Sequence, residues 1–429
     1  MDRITIPLFA ILGVLPFYIP QTWFLEFFAF LPLFVRKDFL SHIRFGFIYG
    51  FLLYLFLLKA LLLLTNNVFL IILLFLIFSS TYALLQFGIP YLLSRLGIFY
   101  PLAFVLVEIL RLKFPFNGFP YEYLGKIAVN IPFFNLSLHY ITVFGATFVI
   151  LSINWIIFKI FEDWERGIKK HILLLGGIIS ILLILSVAYR FSLKIPNYGL
   201  RIAIVQPFLE EEDKIQNEDF VKLYTAHLLN SIPSDQTDLV FLPETAISGD
   251  DYKNFVKTFS NYNLIFGASA LSYNRKSEKW IAKNLVVFSV KGEIKGIYEK
   301  EIPLPFGEYT PTGFRWLAHY IPYLGYVDYE RGHKRVVFRF KNLKILPRIC
   351  NEVFYPLRGL KGINLVVVVS NDAWFGFNFS QRHLWEVRLR AIETGKIFIF
   401  VNNNGYSGIV LPDGSYIGKP FDRVQLLSL

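Results

Sequence analysis

The chain of 429 residues is long enough for two or three domains, but its composition excludes an ordinary water-soluble protein. Apolar residues make up 55% of it, 46 residues are phenylalanine, and the mean hydropathy is +0.48. The net charge is +11, yet the part before Arg190 holds few charges, and most of those lie between apolar runs. This placement is typical of a membrane protein and not of a nucleic-acid binder, which carries a continuous basic face. A single cysteine excludes an intrachain disulfide.

Seven apolar stretches predict an α-helical membrane bundle of about seven spans, which we assign to a domain of residues 1–195. They are residues 6–19, 23–34, 45–64, 69–92, 99–110, 136–158 and 172–189. A helical crossing needs about 20 apolar residues, and the third, fourth, sixth and seventh stretches meet or approach that length. The first, second and fifth are shorter, so tilted or re-entrant elements are expected there. No small-residue cleavage site follows the first stretch, which favours a retained span over a signal peptide.

The basic residues between the stretches predict the orientation of the bundle. Cytoplasmic loops are enriched in Lys and Arg. With a cytoplasmic amino terminus, the inner loops carry Arg3, Arg36, Lys37, Arg44, Arg95, Lys159, Arg166, Lys169 and Lys170. The outer loops then carry only Arg111, Lys113 and Lys126. Seven crossings place everything after Tyr189 on the outer face of the membrane.

A charged pair and an aromatic connection stand out at the end of the fifth stretch. Glu108 and Arg111 lie at helical spacing, either as a structural pair or as a contact for a lipid headgroup, and we favour the structural interpretation. The connection of residues 114–135 is rich in aromatic residues, Pro and Gly. It is expected to lie at the membrane interface as part of an aromatic belt.

After Pro196 the composition changes, and residues 196–429 predict one α/β domain. Runs of Val, Ile and Leu alternate with polar, helix-like segments, and they include RIAIVQP, DLVFLPE, NLIFGAS, NLVVFSV, LKILPRIC and NLVVVVSND. Continuous apolar strands of this kind belong to a sheet that is covered on both faces. Turn signals such as KGE and PDG separate the runs.

Cys350 is the first candidate functional residue of this domain. It follows an apolar run that predicts a strand, broken at Pro347, and it precedes an aromatic, helix-like segment. A side chain at a strand-to-helix turn stands clear of the sheet edge, near backbone N–H groups that can bind an oxyanion. A thiol becomes a useful nucleophile when a base and a cation lie nearby. The alternative is a buried structural cysteine, which is common for a free thiol.

Two further stretches supply the charged groups that such a thiol needs. Glu244 follows Pro243 at the end of the run DLVFL, where open sheets place site residues. Lys300 follows the strand-like segment GEIKGIYEK, and Glu308 lies beyond two prolines. A carboxylate can take the thiol proton and return it, and an ammonium can stabilise an oxyanion. For His383 we expect a surface or structural role, and the absence of clustered ligands at metal spacing predicts no metal site.

Five motifs occur in order behind the apolar helices: FLPETAI, YEKEIPLPFGEYTP, PRICNEVFYP, SNDAWFG and RAIETGKIFIFVNNNGYSG. Together they resemble the apolipoprotein N-acyltransferase family of the nitrilase-like superfamily. The resemblance implies an α/β nitrilase-like αββα sandwich with Glu244 as general base, Lys300 as oxyanion stabiliser and Cys350 as nucleophile. It also implies a supporting or substrate-binding set: Glu308, Glu352, Asn284, Trp374 and Phe375. Asn351 stands where that family usually has tyrosine.

The function implied by the resemblance is acyl transfer at a membrane. An acyl chain would pass from a membrane phospholipid to the α-amine of the N-terminal diacylglyceryl-cysteine of apolipoproteins, by a ping-pong mechanism through a Cys350 thioester. No cofactor and no nucleic acid are expected. The protein would be a monomer in the bacterial inner membrane, with its catalytic domain on the periplasmic face.

Two other functions remain open from the sequence. One is a membrane-tethered amidase or nitrilase that hydrolyses a small amide, and the other is a non-enzymatic membrane scaffold. A hydrolase needs no seven-span bundle, and the presence of Glu244, Lys300 and Cys350 together argues against a scaffold.

Overall fold

The computed structural model of the protein describes residues 2–116, 118–164, 167–274, 279–321 and 328–429. By its internal contacts the chain divides into two compact units, Met1–Leu193 and Lys194–Leu429. The first unit consists of helices in its described part, and the second combines helices with two β-sheets.

The first unit is helical because its long apolar runs can pair every backbone group only within a helix. Its α-helices are α1 (Asp2–Tyr18), α2 (Leu31–Val35), α3 (Phe39–Leu53), α4 (Leu57–Leu64), α5 (Val68–Ala83), α6 (Ile89–Arg95), α7 (Tyr100–Leu110), α8 (Leu138–Glu162) and α9 (Ile168–Ser192). A π-helical turn, Leu84–Gly88, joins α5 to α6, and 3₁₀ turns such as Pro20–Phe27 join other helices.

Three helical segments in the described part are long and apolar enough to cross a membrane: Val68–Arg95, Asn135–Glu162 and Ile168–Ser192. A fourth crossing results if α3 and α4, which are bent by 68° to one another, form one span. These four correspond to the stretches that approach crossing length in the sequence. The short first, second and fifth stretches form shorter apolar helices. Seven crossings therefore remain a prediction, while a helical region with at least three candidate spans is observed.

Glu108 and Arg111 are both buried inside the first unit. The Glu108 carboxylate accepts hydrogen bonds from the Leu124 backbone N–H at 2.9 Å and from the Thr147 hydroxyl at 2.7 Å. Arg111 donates to the side-chain carbonyl of Gln86 at 2.9 Å. These contacts favour the structural interpretation of the two charged residues, because both use their hydrogen bonds within the unit.

The aromatic connection of residues 114–135 is largely buried within the first unit. It includes the 3₁₀ helix Leu124–Asn130, in which Ile127 is fully buried. Gly125 permits this close packing, because a Cβ at that position would lie 2.0 Å from the carbonyl oxygen of Val143. Backbone contact with α8 therefore holds this part of the segment inside the unit, and its position at the membrane interface stays a prediction.

The second unit contains two six-stranded sheets. Its strands are β1 (Arg201–Val205), β2 (Leu239–Ile247), β3 (Leu264–Asn274), β4 (Lys279–Val290), β5 (Glu293–Glu299), β6 (Phe338–Phe340), β7 (Leu343–Ile349), β8 (Leu365–Ser370), β9 (Ile397–Asn402), β10 (Gly408–Val410), β11 (Tyr416–Ile417) and β12 (Val424–Ser428). The first sheet has the order β12-β1-β2-β3-β4-β5, and the second has the order β11-β10-β9-β8-β7-β6.

The two sheets pack face to face, with helices on their outer faces. Side chains such as Phe241 of β2 and Val367 of β8 belong to one buried cluster between the sheets. The α-helices in the described part of this unit are α10 (Glu211–Gln216), α11 (Glu218–Asn230), α12 (Tyr252–Thr258) and α13 (Phe377–Thr394). The outer face of the first sheet packs against α11 and α12, and His383 of α13 contacts Phe400 of β9. The layers form the αββα sandwich that the family resemblance implied.

Parallel pairing brings the carboxyl ends of several strands together. Strands β1, β2 and β3 are parallel neighbours in the first sheet, as are β7, β8 and β9 in the second. Strand β7 runs through Pro347, which stands opposite Val367 of β8, so the predicted break at this proline does not occur. The ends of β7 and β8 are adjacent, because Ile349 stands opposite Val369.

Candidate active site

Glu244 lies where β2 becomes irregular. The strand continues through this residue, but its pairing with β3 shifts between Leu242 and Ile247, and Thr245 has φ = 50°. Gly267 of β3 makes room for this irregularity, because a Cβ there would lie 2.5 Å from the Glu244 Cα. Bulges of this kind redirect a side chain out of the regular ladder. The Glu244 carboxylate is buried among the polar groups described next.

Glu244, Lys300, Glu308 and Asn284 form one hydrogen-bonded cluster. The Lys300 ammonium lies 2.9 Å from the Glu308 carboxylate and 3.5 Å from Glu244 Oε1. The Asn284 side-chain amide donates to both carboxylates at 2.7 Å. The backbone carbonyl of Asn284 accepts a hydrogen bond from the Lys300 backbone N–H at 2.9 Å, so β4 fixes the position of the lysine. The first sheet and the loop after β5 thus supply two carboxylates, one ammonium and one amide.

Cys350 comes from the second sheet. It follows β7 directly and begins the 3₁₀ helix Cys350–Phe354, with φ = 46°. A positive φ is uncommon for a residue with a side chain, and it marks a sharp turn that lifts the sulfur from the strand end. Asn351, at the position that usually holds tyrosine, donates to the Ile302 carbonyl at 3.0 Å and so joins the turn to the loop after Lys300.

Glu352 joins the Cys350 turn to the loop after β5. Its buried carboxylate accepts hydrogen bonds from the backbone N–H groups of Ile349 at 2.8 Å, Glu301 at 2.7 Å and Ile302 at 3.2 Å, and from the Tyr298 hydroxyl at 2.8 Å. Burial raises the pKa of Glu352, and the neighbouring Arg348 opposes that rise. Through these hydrogen bonds, Glu352 joins the turn that carries Cys350 to the loop that follows Lys300.

The charges of the cluster act on one another through buried surroundings. Burial alone would lower the pKa of Lys300, but attraction to Glu308 and Glu244 outweighs it and raises the pKa, so the ammonium stays charged. Burial raises the pKa of Glu244, against the opposing charge of Lys300. The pKa of the Cys350 thiol is raised by burial and by Glu244 and lowered by Lys300. At rest the site therefore holds a protonated thiol beside a carboxylate that readily accepts a proton.

Trp374 and Phe375 follow β8, whose end adjoins that of β7. The 3₁₀ turn Asp372–Trp374 precedes α13, and both aromatic side chains are half-buried. The Phe375 ring contacts the Phe379 ring, with centroids 4.5 Å apart. These aromatic residues therefore lie on a turn at the end of the sandwich that carries Cys350.

A second buried polar cluster, not predicted from the sequence, lies beside Cys350. It consists of Ser370, Asp372, His383 and Asn402, which the structure shows to be fully buried. His383 was expected at the surface or in a structural role, and its complete burial excludes the surface. The sequence did carry a signal, since SND and NNN follow the two buried strands β8 and β9, where open sheets place site residues.

No group of three or more His, Cys, Asp and Glu side chains lies close enough to hold a metal ion, as far as the chain is described. Cys350, Glu244 and Lys300 supply a thiol, a proton acceptor and a positive charge. These are the groups required for attack on a carbonyl carbon and for stabilisation of the oxyanion that forms.

Comparison with known proteins links both units to one family. The family model of the apolipoprotein N-acyltransferase N-terminal domain matches residues 9–156, and that of carbon-nitrogen hydrolase matches residues 201–426. A curated apolipoprotein N-acyltransferase of Aquifex aeolicus is 35% identical over 401 residues, which cover 89% of this chain and 88% of that protein.

Other relatives are more distant. An apolipoprotein N-acyltransferase of Allorhizobium ampelinum is 28% identical, over 75% of this chain and 64% of its own length, so this chain spans slightly less than two thirds of it. Among solved structures, a CN-hydrolase superfamily protein from Xanthomonas campestris covers 54% of this chain and 91% of its own, with 19% identity and a TM-score of 0.41. The Aquifex match and the two family models establish that the chain belongs to the apolipoprotein N-acyltransferase family, with a carbon-nitrogen hydrolase domain as its second unit.

Proposed function

We propose that the protein transfers an acyl chain from a membrane phospholipid to the α-amine of the N-terminal diacylglyceryl-cysteine of apolipoproteins, through a thioester on Cys350. The observation that carries this proposal is the buried cluster of Glu244, Lys300, Glu308 and Asn284, in which the charges of Glu244 and Lys300 act on the Cys350 thiol. Membership of the apolipoprotein N-acyltransferase family supplies the class of donor and acceptor.

The first half-reaction forms the thioester. Glu244 takes the proton from the Cys350 thiol, and the sulfur attacks the ester carbonyl of the phospholipid. Negative charge develops on the carbonyl oxygen, and the Lys300 ammonium stabilises it together with backbone N–H groups of the turn. When the carbon–oxygen bond breaks, protonated Glu244 gives its proton to the departing lysophospholipid oxygen. The raised pKa of Glu244 favours both transfers, because a carboxyl group with such a pKa accepts a proton readily and can return it.

The second half-reaction forms the amide. The neutral α-amine of the diacylglyceryl-cysteine attacks the thioester carbonyl, and Glu244 takes the proton that the amine loses. The carbon–sulfur bond then breaks, and Glu244 returns the proton to the sulfur. Lys300 stabilises the oxyanion in both halves, so one arrangement of charges serves a ping-pong cycle.

The remaining residues have supporting roles in this proposal. Glu308 keeps Lys300 charged and in place, and Asn284 keeps both carboxylates in register with the lysine. Glu352 holds the turn of Cys350 against the loop after β5. Trp374 and Phe375 provide apolar surface for the lipid chains.

For the cellular setting, we propose a monomer of the bacterial inner membrane with residues 1–195 as a seven-span domain and residues 196–429 as a periplasmic catalytic domain. The family and the candidate spans support an inner-membrane protein. The bias of basic residues toward one set of loops supports the orientation, because such loops stay in the cytoplasm.

Intact-mass spectrometry of the full-length protein in detergent micelles containing phospholipid tests the proposal. The wild type should gain the mass of one acyl chain, hydroxylamine should remove it, and a diacylglyceryl-cysteine peptide should accept it. Cys350→Ala should gain nothing, while Ser289→Ala, which changes a buried hydroxyl of β4 remote from these contacts, should behave as wild type.

Two outcomes contradict the proposal. One is a wild type without an adduct, and the other is an adduct that persists in Cys350→Ala. Hydrolysis of small amides without any lipid adduct would support the membrane-tethered amidase instead.

A further inference from the structure

Ser370 has one hydroxyl proton to donate, and its oxygen lies 3.4 Å from His383 Nδ1. Its oxygen lies 3.0 Å from Asp372 Oδ1, to which it donates. Hydrogen bonding from the Ser370 side chain is also one of the influences that lower the pKa of the Cys350 thiol. This contact arises because β7 and β8 are parallel neighbours, so the residue that ends β8 lies beside the residue that follows β7. Since a hydroxyl donates only one hydrogen bond, Ser370 serves either the carboxylate or the sulfur at a given moment.

Asp372 is held by three donors from three elements. His383 Nδ1 lies 2.9 Å from its carboxylate, the Asn402 amide lies 2.5 Å from it, and the Ser370 hydroxyl is the third. All four side chains are fully buried. The carboxylate therefore keeps two hydrogen bonds when Ser370 turns away from it.

His383 is held in one orientation by aromatic rings. The imidazole contacts the rings of Phe354, Phe379 and Phe400, with centroids 4.9 to 5.7 Å apart. Its Nε2 has no hydrogen-bond partner within the described part of the chain. A neutral imidazole that carries its proton on Nδ1 fits this arrangement, because Nδ1–H then donates to Asp372 and Nε2 carries no proton that needs an acceptor.

We propose that Ser370 is a positioning residue for the nucleophile, held by Asp372 and His383, whose hydroxyl turns from the Asp372 carboxylate to the Cys350 sulfur when the thiol loses its proton. The proton of the thiol goes to Glu244, and the proton of Ser370 stays on its own oxygen. When the sulfur becomes a thioester it is a poor acceptor, and the hydroxyl returns to Asp372. This inference rests on the proposed function, since it concerns the same sulfur.

The charges that face Cys350 come from several elements and act in opposite directions. Glu244 of β2 and Asp372 after β8 both favour the protonated thiol, while Lys300 after β5 and the Ser370 hydroxyl favour the thiolate. Farther out lie Glu308, Glu352 and Arg348, which act on Lys300, Glu244 and one another. Asp372 therefore does not promote ionisation by its charge. Its contribution is to orient the Ser370 hydroxyl. Experiments can therefore separate the effect of the Asp372 charge on the thiol from its effect on the orientation of Ser370.

The rate of Cys350 alkylation by iodoacetamide, measured against pH on the full-length protein, reports on the sulfur without any lipid substrate. Ser370→Ala should move the midpoint to higher pH and slow thioester formation about tenfold or more, since hydrogen bonds to charged groups contribute about 1.5–3 kcal/mol. KM for the phospholipid should stay unchanged. Ser370→Thr, which keeps the hydroxyl, should restore most of both values.

Three variants test whether Asp372 and His383 orient the Ser370 hydroxyl or only stabilise the local structure. Asp372→Asn should move the alkylation midpoint to lower pH, because it removes a negative charge near the sulfur, and yet slow thioester formation. His383→Asn keeps a donor near the place of Nδ1 and should stay close to wild type, whereas His383→Phe keeps the ring and should lose activity. Thermal melts identify any variant that fails to fold, and Ser370→Ala, the smallest change, then carries the test.

The proposal is overturned if Ser370→Ala leaves the alkylation midpoint where it is in the wild type. It is also overturned if Asp372→Asn lowers the alkylation rate and the turnover rate in parallel and leaves the midpoint pH unchanged. That result would mean that Asp372 only stabilises the local structure. If the wild type alkylates normally but never forms a lipid thioester, the proposed function fails while the alkylation series still decides the role of Ser370.

Discussion

Replacement of Asn284 by leucine removes one amide that serves two carboxylates while it keeps most of the side-chain volume. The amide has two N–H groups, and these donate to Glu244 and Glu308 at 2.7 Å each. A hydrogen bond to a charged group contributes about 1.5–3 kcal/mol, which corresponds to about a 10- to 100-fold change in rate if it acts on the base alone. The bond also lowers the pKa of Glu244, so its loss raises that pKa.

The sign of the pH effect follows from the role of Glu244 as a base. Only the ionised carboxylate takes the thiol proton, so a higher pKa moves the acidic limb of the rate profile to higher pH. The expected result for Asn284→Leu is therefore slower thioester formation at neutral pH, with partial recovery as the pH rises.

The assay is the rate of acyl-adduct formation in micelles, followed by intact mass across a pH series. Ser289→Ala is the matched control, because Ser289 lies on the same strand, is equally buried and has a hydroxyl without a partner in the described residues. Equal rates for Asn284→Leu and wild type, with the acidic limb unmoved, would refute the assignment of Glu244 as the base that Asn284 holds.

Three further predictions follow from single contacts. Gly267→Ala forces β3 away from the Glu244 backbone, so activity and the melting temperature should fall, at a cost of about 1–3 kcal/mol; Gly313→Ala, with open space around it, should change neither. Glu352→Ala leaves several buried donors without an acceptor and should lower the free energy of unfolding by about 3–5 kcal/mol in denaturant titrations. Lys214→Met removes a charge that lowers the pKa of Glu244, so the acidic limb of the rate should move to higher pH, and an unmoved limb would count against that charge effect.

The sequence predicted that the polar and reactive side chains of the candidate site follow apolar strand-like runs. Glu244 and Cys350 both follow continuous apolar runs of the sequence, and the structure places Glu244 at the irregular part of β2 and Cys350 directly after β7. Lys300 is different, since it follows an antiparallel strand, and only pairing with Asn284 of β4 determines its position. Family resemblance pointed to it, and the strand pattern did not.

Contacts between distant segments could not be predicted in this way. The two bonds of Asn284 and the Ser370–Asp372–His383 cluster depend on which polar atoms meet after the strands have paired, and no period in the sequence encodes that. The helical unit shows the same limit, because the bend between α3 and α4 interrupts a single apolar stretch of the sequence. Hydropathy measures length and polarity, whereas backbone direction depends on packing.

Glu244 lies on β2 and Lys300 follows β5 of the first sheet, whereas Cys350 follows β7 of the second, so in the proposed mechanism neither layer would be reactive by itself. A partly synthesised or half-unfolded chain exposes an ordinary thiol with no base and no cation beside it. If the proposed mechanism holds, this arrangement prevents premature acylation of the enzyme and breakdown of surrounding lipids by misfolded copies. The proposed reactive arrangement therefore forms only when the two sheets have packed against each other.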